Sequence, residues 1–428
     1  MSNPVLDGLK VLDLSQNIAG AYCAKLLAEM GAEVIKVERP GVGDPTRHIG
    51  PFPLREPLDG GDVTWPPQDQ PFDLAQDEPH ETANNEQDPE ASGTFLYLNT
   101  AKKGITLNLE SPRGQDLLRA LARTSDIVVE SHTPDLMEGW KLDYAHLSEI
   151  NPGLIMTSVT PFGQTGPYRH YKASDINCFA FGGLMSIFGD ADRPPTKVYE
   201  GIIQYWAGGH AFTGTMAAVL CRELTGEGQQ VDVSIVETVA NHINMNYLQH
   251  LYKGEYSQRS GNTSAALGGA PSLYRAADGY MQAMLRPFEA LADLITAPEL
   301  LHDPRFSSPI ERRSHGAELG EIIQGFMETR PKEDIFKESQ KRRLPWAPLN
   351  TTADLFDSDH LRNENFFKEI EHPKTGTLLY PGSPFKIGDT EMVYYRAPLL
   401  GEHNDEIYCG VLGLSEEQLA KLKEEEVI

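Results

Sequence analysis

Cysteine is scarce in this chain. Its four cysteines, Cys23, Cys178, Cys221 and Cys409, are scattered over 428 residues. No pair has the close spacing of a metal site or a redox motif, so they read as reduced and mostly buried, with no metal expected. Long apolar runs are also missing: none reaches the roughly 20 residues that a membrane helix needs. Positive charge is in deficit, with 37 Lys and Arg against 62 Asp and Glu and a net charge of -25. Such a surface repels nucleic acid and anionic membrane. An anionic ligand would have to be held by a local basic pocket or by helix N-termini. The opening residues MSNPVLDGLKVLDLSQ lack the basic-then-apolar pattern of a secretory signal, so the expected location is the cytoplasm. No internal repeat is present.

The length exceeds one ordinary core and suggests two or three domains. Leu9–Leu14 reads as a buried strand, about Ala19–Met30 as a helix closed by Gly31, and Glu33–Val37 as a second strand. A strand–helix–strand unit of this size implies a parallel sheet. It carries no GxGxxG, so it is not a dinucleotide fingerprint, although the helix opening at Ala19-Gly20 suits a phosphate or carboxylate. Arg39 and Arg47, in the loop that follows, are either anion contacts or solvated surface residues. Residues 51–93 are acidic, rich in Pro, Asn and Gln, and read as a surface insertion serving as a lid, a partner-binding arm or neither. Further strands are expected at Gly104–Leu109, Asp126–Glu130 and Gly153–Val159, with a helix from about Pro112 to Arg123. Ligands of α/β sheets bind at strand tips, here Ser131-His132 and Thr160–Gly163. The loop Gln164–Asp175 adds Arg169, His170, Lys172 and Asp175.

Lys197–Arg222 (KVYEGIIQYWAGGHAFTGTMAAVLCR) organises the rest. It reads as a strand-like run that becomes an apolar helix threaded by Gly208, Gly209 and Gly214, which let another backbone or a ligand approach. This is either an active-site junction or a packed core helix. A strand at Val231–Ile235, a helix to about Leu251, a strand at Gly279–Met284 and helices to about Lys337 follow. The tail 415–425 reads as a charged amphipathic surface helix.

Five phrases together resemble the class III CoA-transferases, which include formyl-CoA transferase, carnitine CoA-transferase and the α-methylacyl-CoA racemases. They are LDGLKVLDLSQNIAGAYCAKLLAEMGAEVIKVERPGVGD, NTAKKGITLNLESPRG, NPGLIMTSVTPFGQTGP, MAAVLCRELTGEGQQVDVSIVE and RAPLLGEHNDEI. The resemblance implies an α/β fold with a large parallel-sheet domain (1–200 and 345–428, the insertion at 51–93), a linker helix (201–224) and a smaller α+β domain (225–344). Two chains would interlock as a dimer, with each active site lying between the large domain of one and the small domain of the other. Coenzyme A thioester is then a substrate, and no permanently bound cofactor is implied.

Family chemistry uses an aspartate that attacks the thioester, forms a mixed anhydride and then an enzyme-bound thioester, which the acceptor acid resolves. That aspartate lies four residues before a glycine that opens the central helix. Counting back from Gly208 gives Gln204, and Ala217–Leu220 supports the register without a gap. An amide is a weak nucleophile and cannot cycle through an anhydride. The nearest substitutes are Asp175 and Glu200. The resemblance places CoA contacts at Ala19, Arg39 and Lys172, an adenine pocket at Leu107 and part of a mobile loop at Gly268-Gly269. Asn-Phe of many relatives is replaced by Ser131-His132, and an expected arginine by Gly139. The racemase pair, a histidine and the central-helix acid, is missing at Ser174 and Gln204.

The expected function is that of a non-catalytic subunit working with a paralogous catalytic one, as in succinyl-CoA:(R)-benzylsuccinate CoA-transferase of anaerobic toluene degradation. The alternatives are an active homodimer using Asp175 or Glu200, and a CoA-ester-binding regulatory protein without turnover.

Overall fold

The computed structural model describes residues 4–53, 88–199, 201–263 and 270–428. The chain separates into two units. The first comprises residues up to Gly182, Tyr199–Asn241 and Phe366–Ile428; the second comprises Gly183–Val198 and His242–Asn365.

The first unit is built on alternating strands and helices. In order they are β1 (Lys10–Asp13), α1 (Ala19–Glu29), β2 (Glu33–Glu38), α2 (Gly93–Leu98), β3 (Lys102–Thr106), α3 (Pro112–Ala122), β4 (Ile127–Glu130), α4 (Pro134–Trp140), α5 (Tyr144–Ile150), β5 (Ile155–Thr160), α6 (Asp175–Phe181), α7 (Ile202–Thr225), β6 (Gln230–Ser234) and α8 (Ile235–Asn241). The strands form one parallel sheet in the order β3-β2-β1-β4-β5-β6. Leu12 pairs with Ile35 on one side and Val128 on the other. The inner strands are buried on both faces, as parallel sheets require: all residues of β4 and β5 are buried. The main core joins Leu12, Ile105, Leu118, Val128 and Met156 to Ile407 and Tyr408 from the end of the chain. Strand order reverses between β1 and β4, which makes their C-terminal ends the place where a ligand crevice is expected.

The second unit holds α9 (Asn244–Lys253), β7 (Leu273–Ala276), β8 (Gly279–Gln282), α10 (Phe288–Leu294), α11 (Pro309–Ser314), α12 (Gly316–Met327), α13 (Lys332–Lys341), β9 (Ala347–Pro348), α14 (Thr352–Phe356) and α15 (Asp359–Asn363). Its strands form an antiparallel sheet in the order β7-β8-β9. Its own core contains Tyr274, Met281, Phe306 and Trp346. The chain then re-enters the first unit with the hairpin β10 (Phe367–His372) and β11 (Gly376–Pro381), and ends in α16 (Glu416–Glu424).

Several sequence expectations need correction. Among the described residues no strand runs directly into α7: Tyr199 is 82% exposed, and Gly201 takes φ +90 at the helix start. Residues 225–241 do not belong to a small domain, because β6 pairs with β5 in the main sheet. The return to the first unit comes at Phe366 rather than 345. Helix α7 is no linker; it is a core helix of the first unit. The expected strand at Gly104–Leu109 starts at Lys102 and stops at Thr106. The helix expected to run to Leu251 is broken into α8 and α9. Of the 51–93 insertion, 54–87 lies outside the described residues; Pro89–Ala91 is a 3-10 turn and α2 begins at Gly93. The C-terminal helix buries Leu419 and Leu422 in the main core instead of resting on the surface.

Candidate active site

A cavity of about 1000 Å³ opens at the C-terminal ends of β1, β4 and β5. All its described lining residues belong to the first unit. One wall is the loop that leaves β1, Gln16–Ala19, which leads into α1. Asn17 adopts the left-handed region at φ 63, one that Asn tolerates better than most residues. Among the described residues no side chain caps α1, and no acidic residue sits in its first turn, so its first N–H groups and positive dipole end suit an anion.

A sealed set of charges holds this loop from below. Asp13, at the end of β1, accepts hydrogen bonds from the Ser15 amide at 3.0 Å and from Lys102 Nζ at 2.8 Å. Lys36 Nζ donates to the Ser15 carbonyl and to Asp44 Oδ2, the latter at 2.8 Å. Asp44 in turn accepts from the Thr46 amide and hydroxyl. All these charged side chains are buried. Burial opposes the Asp13 charge, but Lys102 and Lys36 outweigh it and hold the carboxyl below its ordinary value. Burial pulls Lys102 down to about 8, against the attraction of Asp13, so the pair stays ionised at neutral pH.

The second wall leaves β4. The Ser131 hydroxyl donates to the Gln16 carbonyl at 3.0 Å and accepts from the Gln16 amide at 2.8 Å. His132 sets its ring edge-on to Trp140, with centroids 5.4 Å apart. Burial pushes this imidazole down to about 4, against a bond to the Leu14 backbone, so it is neutral at physiological pH. Beneath it Glu130 accepts from the His132 amide at 2.7 Å. Burial pushes the Glu130 carboxyl up to about 7, against bonds from Ser158 and the His132 amide.

The third wall is α7 with the loop before α6. Gln204 and Tyr205 lie in the first turn of α7 and line the cavity. Tyr205 meets Tyr22 edge-on at 5.0 Å. Helix α7 can lie this close to α1 because of Gly208: a Cβ there would stand 2.5 Å from the Ala19 carbonyl oxygen. A Cβ on Gly214 would stand 2.8 Å from the Val231 side chain of β6, whereas Gly209 faces open space. Below, the Thr215 hydroxyl bonds Thr157 of β5 at 2.6 Å. Lys172 lines the cavity and is exposed, and it makes no ion pair among the described residues. Arg169 also lines it, but donates to His170 Nε2 at 2.8 Å and lies 3.4 Å from Glu138. Asp175 begins α6 and is the only carboxylate among the described lining residues.

The cavity therefore gathers Ala19, Lys172, Asp175 and Gln204 from the expected site residues. Arg39 and Leu107 do not line it. Arg39 is 61% exposed at its side chain and lies 3.9 Å from Glu110, while Leu107 is packed in the sheet core. Gly268, Gly269 and Glu200 lie outside the described residues. Arg47 is not an anion contact: it is buried, with bonds to both oxygens of Glu38 and one to Glu90. The charged layer under the loop was missed in the sequence, although charged residues inside fully apolar strands (Asp13 in LKVLDL, Lys36 in EVIKV) signalled it. Chemically, the described lining residues offer an anion-ready helix end, a lysine without an ion pair among the described residues, one carboxylate and, on α7, an amide. No group of three or more metal-ligating side chains occurs among the described residues.

Comparison with known proteins accords with this geometry. Residues 6–404 match the family described as CoA-transferase family III. The formyl-CoA:oxalate CoA-transferase of Streptomyces coelicolor is 31% identical, with 100% of each chain covered. The succinyl-CoA–D-citramalate CoA-transferase of Chloroflexus aurantiacus is 32% identical over 99% of this chain and 98% of its own. The succinyl-CoA:mesaconate CoA-transferase of Haloarcula marismortui is 34% identical over 94% and 95%. Among solved structures, a CAIB/BAIF family protein from Brucella suis superposes with a TM-score of 0.80 at 26% identity, covering 96% of this chain and 100% of that one. With sequence and fold matched along nearly its whole length, the chain belongs to CoA-transferase family III.

Proposed function

We propose that this chain is the subunit without a nucleophile in a heteromeric CoA-transferase. The reaction moves CoA between a dicarboxylic acyl-CoA, such as succinyl-CoA, and a carboxylic acid acceptor, such as benzylsuccinate. The observation that carries the reading is Gln204, an amide in the first turn of α7 on the wall of the cavity, at the position that the resemblance assigns to the attacking carboxylate. An amide oxygen neither attacks a thioester effectively nor leaves again from an anhydride. The paralogous partner supplies the aspartate within an interlocked dimer, and this chain shapes the remainder of the site. The CoA thioester is a substrate, its anionic groups drawn to the start of α1 and to Lys172. Donors and acceptors in the relatives' names are small acids and their thioesters, which fits this substrate class.

The second reading is an active homodimer. One observation favours it: Asp175 lines the same cavity as Gln204. The two separate on treatment with succinyl-CoA. The first expects no acyl or CoA adduct on this chain and full exchange once the paralogue is added. An adduct on Asp175, detected by mass spectrometry and removed by hydroxylamine, would establish the second.

A further inference from the structure

The crevice at the point where strand order reverses is bridged in this chain. Between the ends of β1 and β4 a side chain spans the gap, with Ser131 Oγ making two hydrogen bonds to one residue, Gln16, through its amide and its carbonyl. Both residues line the cavity. The adjoining residues are fixed by other means. Ser15 is held on one side by Asp13 and on the other by Lys36, and Ala19 already belongs to α1. Ile18 is tied through its carbonyl, which accepts from the Tyr22 amide at 2.8 Å, and that leaves Gln16 and Asn17 as the stretch between these anchors. Its left-handed Asn17 directs the chain into the uncapped start of α1. Gln16 is the first residue of that stretch, and its peptide groups on both sides are tied by the one hydroxyl.

We propose that Ser131 is a positioning residue: its hydroxyl sets the β1–α1 loop in the shape that presents the amides at the start of α1 to the CoA thioester. The inference rests on the reading that this cavity takes a CoA thioester. The role needs a hydroxyl that donates and accepts at once. Alanine can do neither, whereas threonine retains both. Without the clasp, Gln16 turns to water and the loop samples other paths, so binding pays for ordering that the clasp otherwise supplies in advance.

The test uses Ser131→Ala and Ser131→Thr in the full chain, alone and assembled with its catalytic partner. Affinity for free CoA and for succinyl-CoA is measured by calorimetry, and exchange of the Gln16 amide by hydrogen–deuterium exchange. Ser131→Ala is expected to weaken binding of both probes about fivefold to thirtyfold, the scale of one to two lost hydrogen bonds. The Gln16 amide should exchange faster, and Ser131→Thr should stay within about twofold of the original chain in both measurements. Three results overturn the proposal: unchanged Gln16 exchange in Ser131→Ala, unchanged affinity in that variant, or equal damage from alanine and threonine. If the unsubstituted protein binds neither probe in either state, the reading of the cavity falls, and the positioning role falls with it. Normal binding with an unaffected Ser131→Ala variant removes the positioning role alone.

Discussion

Glu130 ends β4 with its carboxyl sealed from solvent, bonded to the His132 amide beside the cavity. Burial raises its pKa from 4.5 to about 7. Between those values the folded chain keeps a proton that the unfolded chain has lost. Its contribution to stability is therefore present below about pH 4.5 and is lost as pH rises through about 7. Glu130→Gln removes this cost and should flatten the pH profile. Compared with the variant, the original chain should lose about 2–3 kcal/mol between pH 5 and pH 8 in urea unfolding. Equal slopes for the two proteins would contradict this. Lys102 is a contrasting residue, since its charge is needed. Lys102→Met leaves Asp13 ionised, buried and short of its closest cation. A loss of about 3–5 kcal/mol is expected by urea unfolding at pH 7. A loss under 1 kcal/mol would mean that Lys36 and Ser15 suffice.

At the scale of elements, α7 brings the amide of Gln204 to the cavity only because its backbone lies against α1. Gly208→Ala would force a Cβ to within 2.5 Å of the Ala19 carbonyl, and the two helices would have to separate. A destabilisation of about 1–3 kcal/mol is expected. Gly209→Ala, one residue on, meets open space and should gain up to about 1 kcal/mol from helix propensity. Thermal unfolding of the two variants gives the comparison, and equal effects would contradict the packing described for Gly208. The same pair shows how far the sequence can be read. The glycine-threaded pattern marks α7 as a close-packed helix, but Gly208 and Gly209 look alike until the neighbouring helix is in place. The alternation of strands and helices from Leu9 to Val159 was legible because buried parallel strands are short, apolar and regularly spaced. The strand-like reading of the start of Lys197–Arg222 failed for the converse reason: apolar residues suggest a strand, but only a neighbouring strand makes one, and Tyr199 faces solvent. Domain boundaries were misread at β6, where a strand far along the chain joins the edge of the first sheet. Such a pairing leaves no local signal.

For the whole molecule, the chain keeps the scaffold of CoA-transferase family III around a cavity whose α7 wall carries an amide. The excess of negative charge adds no general attraction for CoA, so under the proposed function binding would rest on local features: the start of α1, Lys172 and the loop held between Ser131 and the buried Asp13–Lys36–Lys102 cluster. If the scaffold is intact and only the nucleophile is absent, Gln204→Asp should give the isolated chain measurable transferase activity. The assay follows CoA exchange between succinyl-CoA and a carboxylic acid acceptor, and no gain over the original would place further defects in the site. The most direct measurement is the same assay on the unsubstituted chain, purified without the proposed paralogous subunit and then with it. The account predicts no turnover alone and full turnover on addition of the partner; full turnover from the chain alone would contradict it.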